Sequence, residues 1–287
     1  MNRALGSYQA GVYQALAEAD LHPDWVAGIS IGAVNAALIA GNPPERRVEK
    51  LREFCEAVST PPLGVPRLAS IDIKDDVIHR VINQTRALGI MLFGAPHFFT
   101  PRLLSPVFWP SQNADQLSFY DVAPLRATLE RLVDFDRLNA SAMRFSVGAV
   151  NVKTANFVYF DTTTHRIGPA HIIASGSLPP GFSLVSNTPL QWVLDSRPRL
   201  DTLAFQVDLW SAHGELPRNL GEADVRQKEI QFSSRTRAAT DQYKRAQKLL
   251  LKDLPTELLD RPEVKMLAAE ADEKVCNIVH LIYNAKN

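Results

Sequence analysis

The fold of this chain is decided by residues 26–37, Val26-Ala27-Gly28-Ile29-Ser30-Ile31-Gly32-Ala33-Val34-Asn35-Ala36-Ala37. Within them, Gly28 to Gly32 form a G-x-S-x-G pattern, with Ile29 and Ile31 on either side of Ser30. This pattern predicts a nucleophile elbow, in which a serine lies on a sharp turn between a strand and a helix. We expect glycine to be needed at both ends because larger side chains would collide in so tight a turn.

The sequence on both sides of the pattern favours this interpretation. Trp25-Val26-Ala27 predicts the end of a short buried strand, and residues 32–41 predict a helix of small residues that ends at Gly41. The N-terminus of that helix would favour negative charge developing above Ser30. The alternative is a glycine-rich turn with a structural serine, since three fixed positions also arise by chance; the strand-turn-helix context favours the nucleophile.

Composition limits the class of protein. Of 287 residues, 46% are hydrophobic and 22% are charged, which is typical of a soluble globular protein with one large α/β domain or one domain and an appendage. Lys+Arg and Asp+Glu both number 31, so we expect no nucleic-acid partner. The cysteines, Cys55 and Cys276, predict buried, reduced thiols and a reducing compartment. We expect a cytoplasmic protein without metal or cofactor, because no secretory signal and no metal-ligand spacing are found.

Three blocks in order resemble the patatin-like phospholipase family. Residues 3–16 resemble the end of its glycine-rich oxyanion loop and its first helix, and residues 174–182 resemble its A-S-x-[AS]-x-P-x-x-F segment. Ser186-Asn187-Thr188-Pro189-Leu190 resembles the stretch after its catalytic Asp-Gly motif. Residues from 226 onward are similar to the C-terminal extension of a bacterial subgroup.

The resemblance implies an α/β fold, a three-layer sandwich with a mainly parallel central sheet, helices on both faces and a C-terminal helical appendage. It implies an acyl hydrolase domain over residues 1–212 and a mainly helical extension over residues 213–287. The implied function is a serine lipid acyl hydrolase of phospholipase A or esterase type. Its Ser-Asp dyad would use Ser30 as nucleophile on a lipid or acyl-ester substrate.

The sequence departs from the family pattern at two places. No Asp-Gly occurs between Gly181 and Leu190, so the partner aspartate of the dyad is not present. Of the oxyanion loop, only the remnant Arg3-Ala4-Leu5-Gly6 is found. We expect that stretches of a longer protein are omitted here and that the chain as it stands is impaired; the alternative is a degenerate, non-catalytic module of the same fold that binds lipid or protein.

Other candidate residues receive ordinary interpretations. His171 or His213 with Asp208 would complete a Ser-His-Asp triad, but each histidine is more simply a surface or helix residue. Asp195 is expected to be helix-terminal or ion-paired, and Asp161 is expected to cap a turn.

The run from Leu88 to Phe99 is apolar and contains three phenylalanines. It predicts an insertion packed on the core, with a lipid-facing rim of the active-site cleft, and hence peripheral membrane contact, as the alternative. The oligomeric state is not predicted. Further predicted helices cover residues 7–20, 45–58, 71–87, 120–133, 170–176, 190–195, 223–251 and 262–274, and further strands cover 144–152, 157–161, 202–209 and 276–283.

Overall fold

The computed structural model covers the whole chain, and the structure describes part of it. The described residues are 6–59, 94–95, 97–102, 120–140, 142–151, 154, 156–176, 189–196, 201–209, 216–217 and 276–282, with scattered residues between 223 and 265. The chain divides into two compact units, residues 1–185 and 186–287, and each is described by itself. The domain boundary predicted after residue 212 stays a prediction.

The first unit alternates helices and strands. Its elements are α1 (Gly6–Glu18), β1 (Trp25–Ile29), α2 (Ile31–Ala40), α3 (Pro44–Ser59), β2 (Thr100–Pro101), β3 (Tyr120–Asp121), α4 (Ala123–Leu132), α5 (Phe135–Ala140), β4 (Arg144–Val150), β5 (Phe157–Asp161) and α6 (Pro169–Gly176). The predicted helix 71–87 lies outside the described residues. The other helices and strands predicted over this unit are confirmed within a few residues of their ends.

A three-stranded sheet positions the elbow. Its order is β1-β4-β5, with β1 parallel to β4 and β4 antiparallel to β5. The last residue of β1, Ile29, lies opposite Gly148 of β4. The chain leaves the sheet directly after Ile29, so Ser30 lies at the carboxyl end of β1, beside the middle of β4.

The core of this unit is built around α2. All of residues 33–40 are buried, because this helix is apolar on every side and is covered by its neighbours. From α3, Leu51 and Phe54 enter the same cluster, and burying each stabilises the fold by roughly 1.5–3 kcal/mol. Arg47 is also buried, which its charge did not predict; its guanidinium donates to Asn42 O at 3.0 Å and to the Tyr13 hydroxyl at 3.2 Å.

The described end of the apolar run packs inward. The Phe98 ring lies 6.5 Å from that of Phe54, and the Phe99 ring lies 4.6 Å from that of Tyr120. Phe99 is buried, and Phe98 packs partly buried against the core cluster. These contacts support the packed insertion at both positions and give no support there to the lipid-facing rim. Residues 88–93 lie outside the described residues.

The second unit contains a two-stranded parallel sheet. Its described elements are α7 (Leu190–Asp195), β6 (Thr202–Asp208), α8 (Thr256–Leu259) and β7 (Cys276–Ile282). The register of β6 and β7 runs from Thr202 opposite Cys276 to Asp208 opposite Ile282. The predicted strands 202–209 and 276–283 are confirmed, whereas the helices predicted over 223–251 and 262–274 lie mostly outside the described residues.

The structure also describes the two cysteines, which were predicted to be buried. Cys55 and Cys276 are both free and half-buried, and burial raises the pKa of each thiol. Among the helices that the structure describes, none is both long enough and apolar enough to cross a bilayer.

Candidate active site

Ser30 lies on a strained turn between β1 and α2. Its φ is 55° and its ψ is −121°, a backbone conformation that residues other than glycine rarely adopt. Holding a residue in such a region costs about 1–3 kcal/mol. The strand-turn-helix geometry expected of an elbow is therefore present, and the role of Ser30 as nucleophile stays a prediction.

The two glycines of the elbow are not equivalent. A Cβ on Gly28 would lie 2.3 Å from the backbone of Gly32, so nothing larger than glycine fits at Gly28. A Cβ on Gly32 would meet only the Gln9 amide, at 3.4 Å. The expected collision is confirmed at Gly28, but it is wrong for Gly32, whose Cβ would point away from the tight part of the turn.

The first N–H groups of α2 divide into used and unused donors. Those of Ala33 and Val34 donate to Ser30 O at 2.9 and 3.2 Å, which closes the first turn. Within the described part of the chain, no hydrogen bond uses the N–H of Ile31 or Gly32. Because these donors lie at the positive end of the helix, they can bind an oxygen on which negative charge develops.

The start of α1 is fastened against the elbow. A Cβ on Gly6 would lie 2.7 Å from the Ile31 side chain, so this close approach requires glycine. The buried Asn35 amide donates to Gly6 O at 3.0 Å and to Gln9 Oε1 at 2.9 Å. Gly6 of the predicted oxyanion-loop remnant therefore lies against Ile31, the residue after Ser30, and is anchored by Asn35, whose role the sequence did not indicate.

The rest of that remnant, Arg3, Ala4 and Leu5, lies outside the described residues.

The end of α6 borders the Ser30 side chain. A Cβ on Gly176 would lie 3.4 Å from Ser30 Oγ, so a side chain at this position would be in contact with the hydroxyl. The preceding residue, Ser175, accepts a hydrogen bond from Ser30 N at 2.8 Å. Both belong to the A-S-x-[AS]-x-P block of the resemblance, but the sequence did not assign either of them a role at the nucleophile.

No base for Ser30 is found in the described part of the chain, where its hydroxyl makes no hydrogen bond. Residues 177–188, in which the resemblance expects the Asp-Gly motif, lie outside the described residues, as does His213. His171 Nδ1 accepts the Gly168 N–H at 3.0 Å, and its ring packs against Phe160, consistent with a helix residue. Asp195 is the exposed last residue of α7, so it is helix-terminal as expected.

Asp208 has a different histidine neighbour from those considered. In the second unit, His280 Nε2 lies 3.2 Å from Asp208 Oδ2. Gln206 lies beside the same ring, 3.3 Å from Nε2. Asp208 is therefore part of a polar cluster at the carboxyl end of β6.

Among the described residues of the first unit, Asp161 is the most buried carboxylate. It caps its turn as predicted, accepting the Thr163 N–H at 2.9 Å, and it also pairs with Arg144 Nε at 2.8 Å. Burial alone would raise the pKa of Asp161, but hydrogen bonds from Ser146, Thr163 and Arg144 outweigh it and hold the pKa below its usual value. The sequence predicted the cap and missed the ion pair.

The Asp161 carboxylate stabilises the position of β1 rather than taking part in a reaction. Ser146 hydrogen-bonds Asp161, accepts the Trp25 indole N–H at 2.8 Å, and lies opposite Ala27, three residues before Ser30. The guanidinium of Arg144 stacks 3.9 Å above the Trp25 ring. The cluster therefore ties the beginning of β1 to β4 and β5.

Among the residues that the structure describes, no group of three His, Cys, Asp or Glu side chains could hold a metal ion.

Comparison with known families identifies the family of this chain. A family model described as patatin-like phospholipase matches residues 4–200, more than half of the chain. The chain belongs to the patatin-like phospholipase family. A second model, described as patatin phospholipase, matches residues 230–287. Searches of curated proteins and of solved structures gave no match.

Membership settles the general properties. The fold is α/β and fits a patatin-like sandwich, in agreement with the helices and mixed sheet described above. The family supports lipid acyl hydrolysis as the general class of activity, with a lipid as the class of substrate.

Proposed function

We propose that this chain is a serine hydrolase of phospholipase A or esterase type in which Ser30 is the nucleophile. The observation that carries the proposal is the strained conformation of Ser30, with φ at 55° and a hydroxyl that lies next to Gly176 and makes no hydrogen bond within the described residues. Glycine would adopt this backbone without strain. A serine there is therefore better explained by its hydroxyl than by its backbone, because stored strain is typical of functional sites.

The geometry suggests how the reaction would proceed. Ser30 Oγ would attack the acyl carbonyl carbon, and the ester C–O bond would break, releasing the alcohol and leaving the acyl group on Ser30. Water would then attack the acyl carbonyl and release the fatty acid, restoring the hydroxyl. The unused N–H groups of Ile31 and Gly32 would bind the oxyanion, and one such donor is worth about a hundredfold to a thousandfold in rate.

The proposed dyad also needs a carboxylate to accept the proton of Ser30. Since no Asp-Gly occurs between Gly181 and Leu190, we propose that this base is absent from the sequence and that the chain hydrolyses esters only slowly. The same absence favours a second candidate, a non-catalytic patatin-fold module that binds lipid or protein. For either candidate we propose a cytoplasmic location and peripheral contact with the surface of a lipid membrane.

Labelling with a fluorophosphonate probe separates the two candidates. We expect slow labelling that maps to Ser30 and disappears in Ser30→Ala. A folded protein that is not labelled at Ser30 at all would contradict the hydrolase and favour the binding module.

Restoring the base tests the dyad itself. Insertion of Asp-Gly-Gly between Ser183 and Leu184 should raise the labelling rate by about 10² to 10⁴, the usual contribution of a positioned base. Insertion of Asn-Gly-Gly at the same point is the matched control, because it adds the same length of chain without a carboxylate. Equal rates for the two insertions would contradict the Ser-Asp dyad.

A further inference from the structure

Ser175 joins the elbow to the neighbouring strand. Its side chain is 6% exposed, and its hydroxyl accepts from Ser30 N at 2.8 Å while donating to Gly148 O at 2.5 Å. A hydroxyl has one proton to donate and lone pairs to accept, so both bonds are made at once. One buried side chain therefore satisfies a backbone donor of the elbow and a backbone acceptor of β4.

The position of this bridge explains why it is needed. The β1–β4 pairing ends with Ile29 opposite Gly148, and Ser30 then turns out of the sheet. At this point the Ser30 N–H no longer pairs with the neighbouring strand, and neither does the Gly148 carbonyl of β4. Because unpaired backbone groups are costly when buried, a hydroxyl between them replaces the rung that the turn interrupts.

From these contacts we infer that Ser175 is a positioning residue for the nucleophile. Strained backbone persists only where its surroundings over-determine it, and Ser175 holds Ser30 from outside the elbow. The bond also occupies the Ser30 N–H, which leaves the N–H groups of Ile31 and Gly32 as the donors for an oxyanion. The inference rests on the proposed function for its effect on rate, but its effect on the backbone can be measured separately.

The rate test compares Ser175, near the end of α6, with Ser146, another buried serine, on β4. In the full chain, Ser175→Ala should label with a fluorophosphonate roughly 10- to 100-fold more slowly than the unmodified protein, because a small misplacement of reacting atoms has a cost of that size. Ser175→Thr, which keeps a hydroxyl, should restore much of the rate. Ser146→Ala is the matched control, since Ser146 is also buried but hydrogen-bonds Asp161 and Trp25, so its labelling rate should not change.

Equal labelling rates for folded Ser175→Ala and the unmodified protein would overturn the inference. If Ser175→Ala does not fold, Ser175→Cys replaces it and should show the same slowing, because a thiol fills the space but accepts hydrogen bonds weakly.

A double-mutant cycle tests the inference even if Ser30 is never labelled, an outcome that counts against the proposed function alone. If Ser175 holds the strained backbone, Ser175→Ala should destabilise the protein less in a Ser30→Gly background, because glycine adopts the turn unaided. An equal loss in both backgrounds would refute the positioning role.

Discussion

Replacing Ser30 by glycine should make the protein more stable than replacing it by alanine. Alanine keeps the strain of φ 55°, ψ −121°, whereas glycine relieves about 1–3 kcal/mol of it. Glycine also has greater conformational freedom in the unfolded chain, which lowers the stability of the folded state by about 0.5–1 kcal/mol. The hydroxyl itself contributes little, since Ser30 makes no side-chain capping bond to α2. The net expectation is that Ser30→Gly exceeds Ser30→Ala by about 1 kcal/mol.

Urea unfolding of both variants, followed by tryptophan fluorescence, measures this difference. Trp25, one of four tryptophans, lies at the beginning of β1, so part of the signal reports on the strand that leads into the elbow. The control is the same pair of substitutions at Ser196, where φ is −67° and ψ is 145° and glycine has no strain to relieve. There the alanine variant should be the more stable. If alanine is also the more stable at Ser30, the turn is not strained and the argument for a functional serine loses its basis.

Four further substitutions test the elbow and the sheet that supports it. Gly28→Ala should destabilise the protein by about 3 kcal/mol or more in urea unfolding, because its Cβ would lie 2.3 Å from backbone atoms. Gly32→Ala should be neutral or stabilising by up to about 1 kcal/mol. Equal losses of stability in the two variants would contradict the different surroundings of the two glycines. Gly176→Val should slow fluorophosphonate labelling of Ser30 at least about tenfold by filling the space beside the hydroxyl, while an unchanged rate would show that the probe approaches from elsewhere. Asp161→Asn should lose about 2–3 kcal/mol of stability at pH 7, because it leaves the partly exposed Arg144 unpaired. Since the pKa of Asp161 is lowered in the folded state, its stabilising effect is present above about pH 4, near its ordinary value, and is lost as the pH falls further. The two proteins should therefore converge in acid, and a constant difference in their stability down to pH 2 would exclude the ion pair as its cause.

Local patterns were enough to predict the elements that carry the elbow. The small-residue run of α2 and the glycines around Ser30 specify a strand, a turn and a helix within 16 residues of chain. The helix predicted over residues 45–58 was likewise found as α3, which buries Leu51 and Phe54. Each of these features depends on neighbours in sequence, so periodicity and turn chemistry are sufficient to find them.

The contacts that complete the site depend on residues far apart in sequence. Ser175 and Ser30 are separated by 145 residues, and Asn35 and Gly6 by 29. The Arg144–Asp161 pair requires the register of a hairpin, which a charge pattern alone does not define. Gly32 was misjudged for a related reason, because what its Cβ would meet, the Gln9 amide of α1, is decided by a distant packing contact rather than by the local turn.

The proposed nucleophile and its expected base belong to different parts of the chain, which bears on what an insertion can achieve. Among the described residues, the contacts around Ser30 come from β1, α2, the start of α1, β4 and the end of α6, all at or before residue 176. The resemblance places the aspartate in residues 177–188, which lie outside the described residues. If the described elements complete the elbow, a carboxylate introduced there meets an elbow that is already formed, and its effect on labelling should add to that of Ser175 rather than depend on it. A variant with both Ser175→Ala and the Asp-Gly-Gly insertion should accordingly regain most of the increase in rate that the insertion gives alone. If the increase disappears in the double variant, the elbow and the base are coupled, and the elbow is not complete without the segment that follows α6.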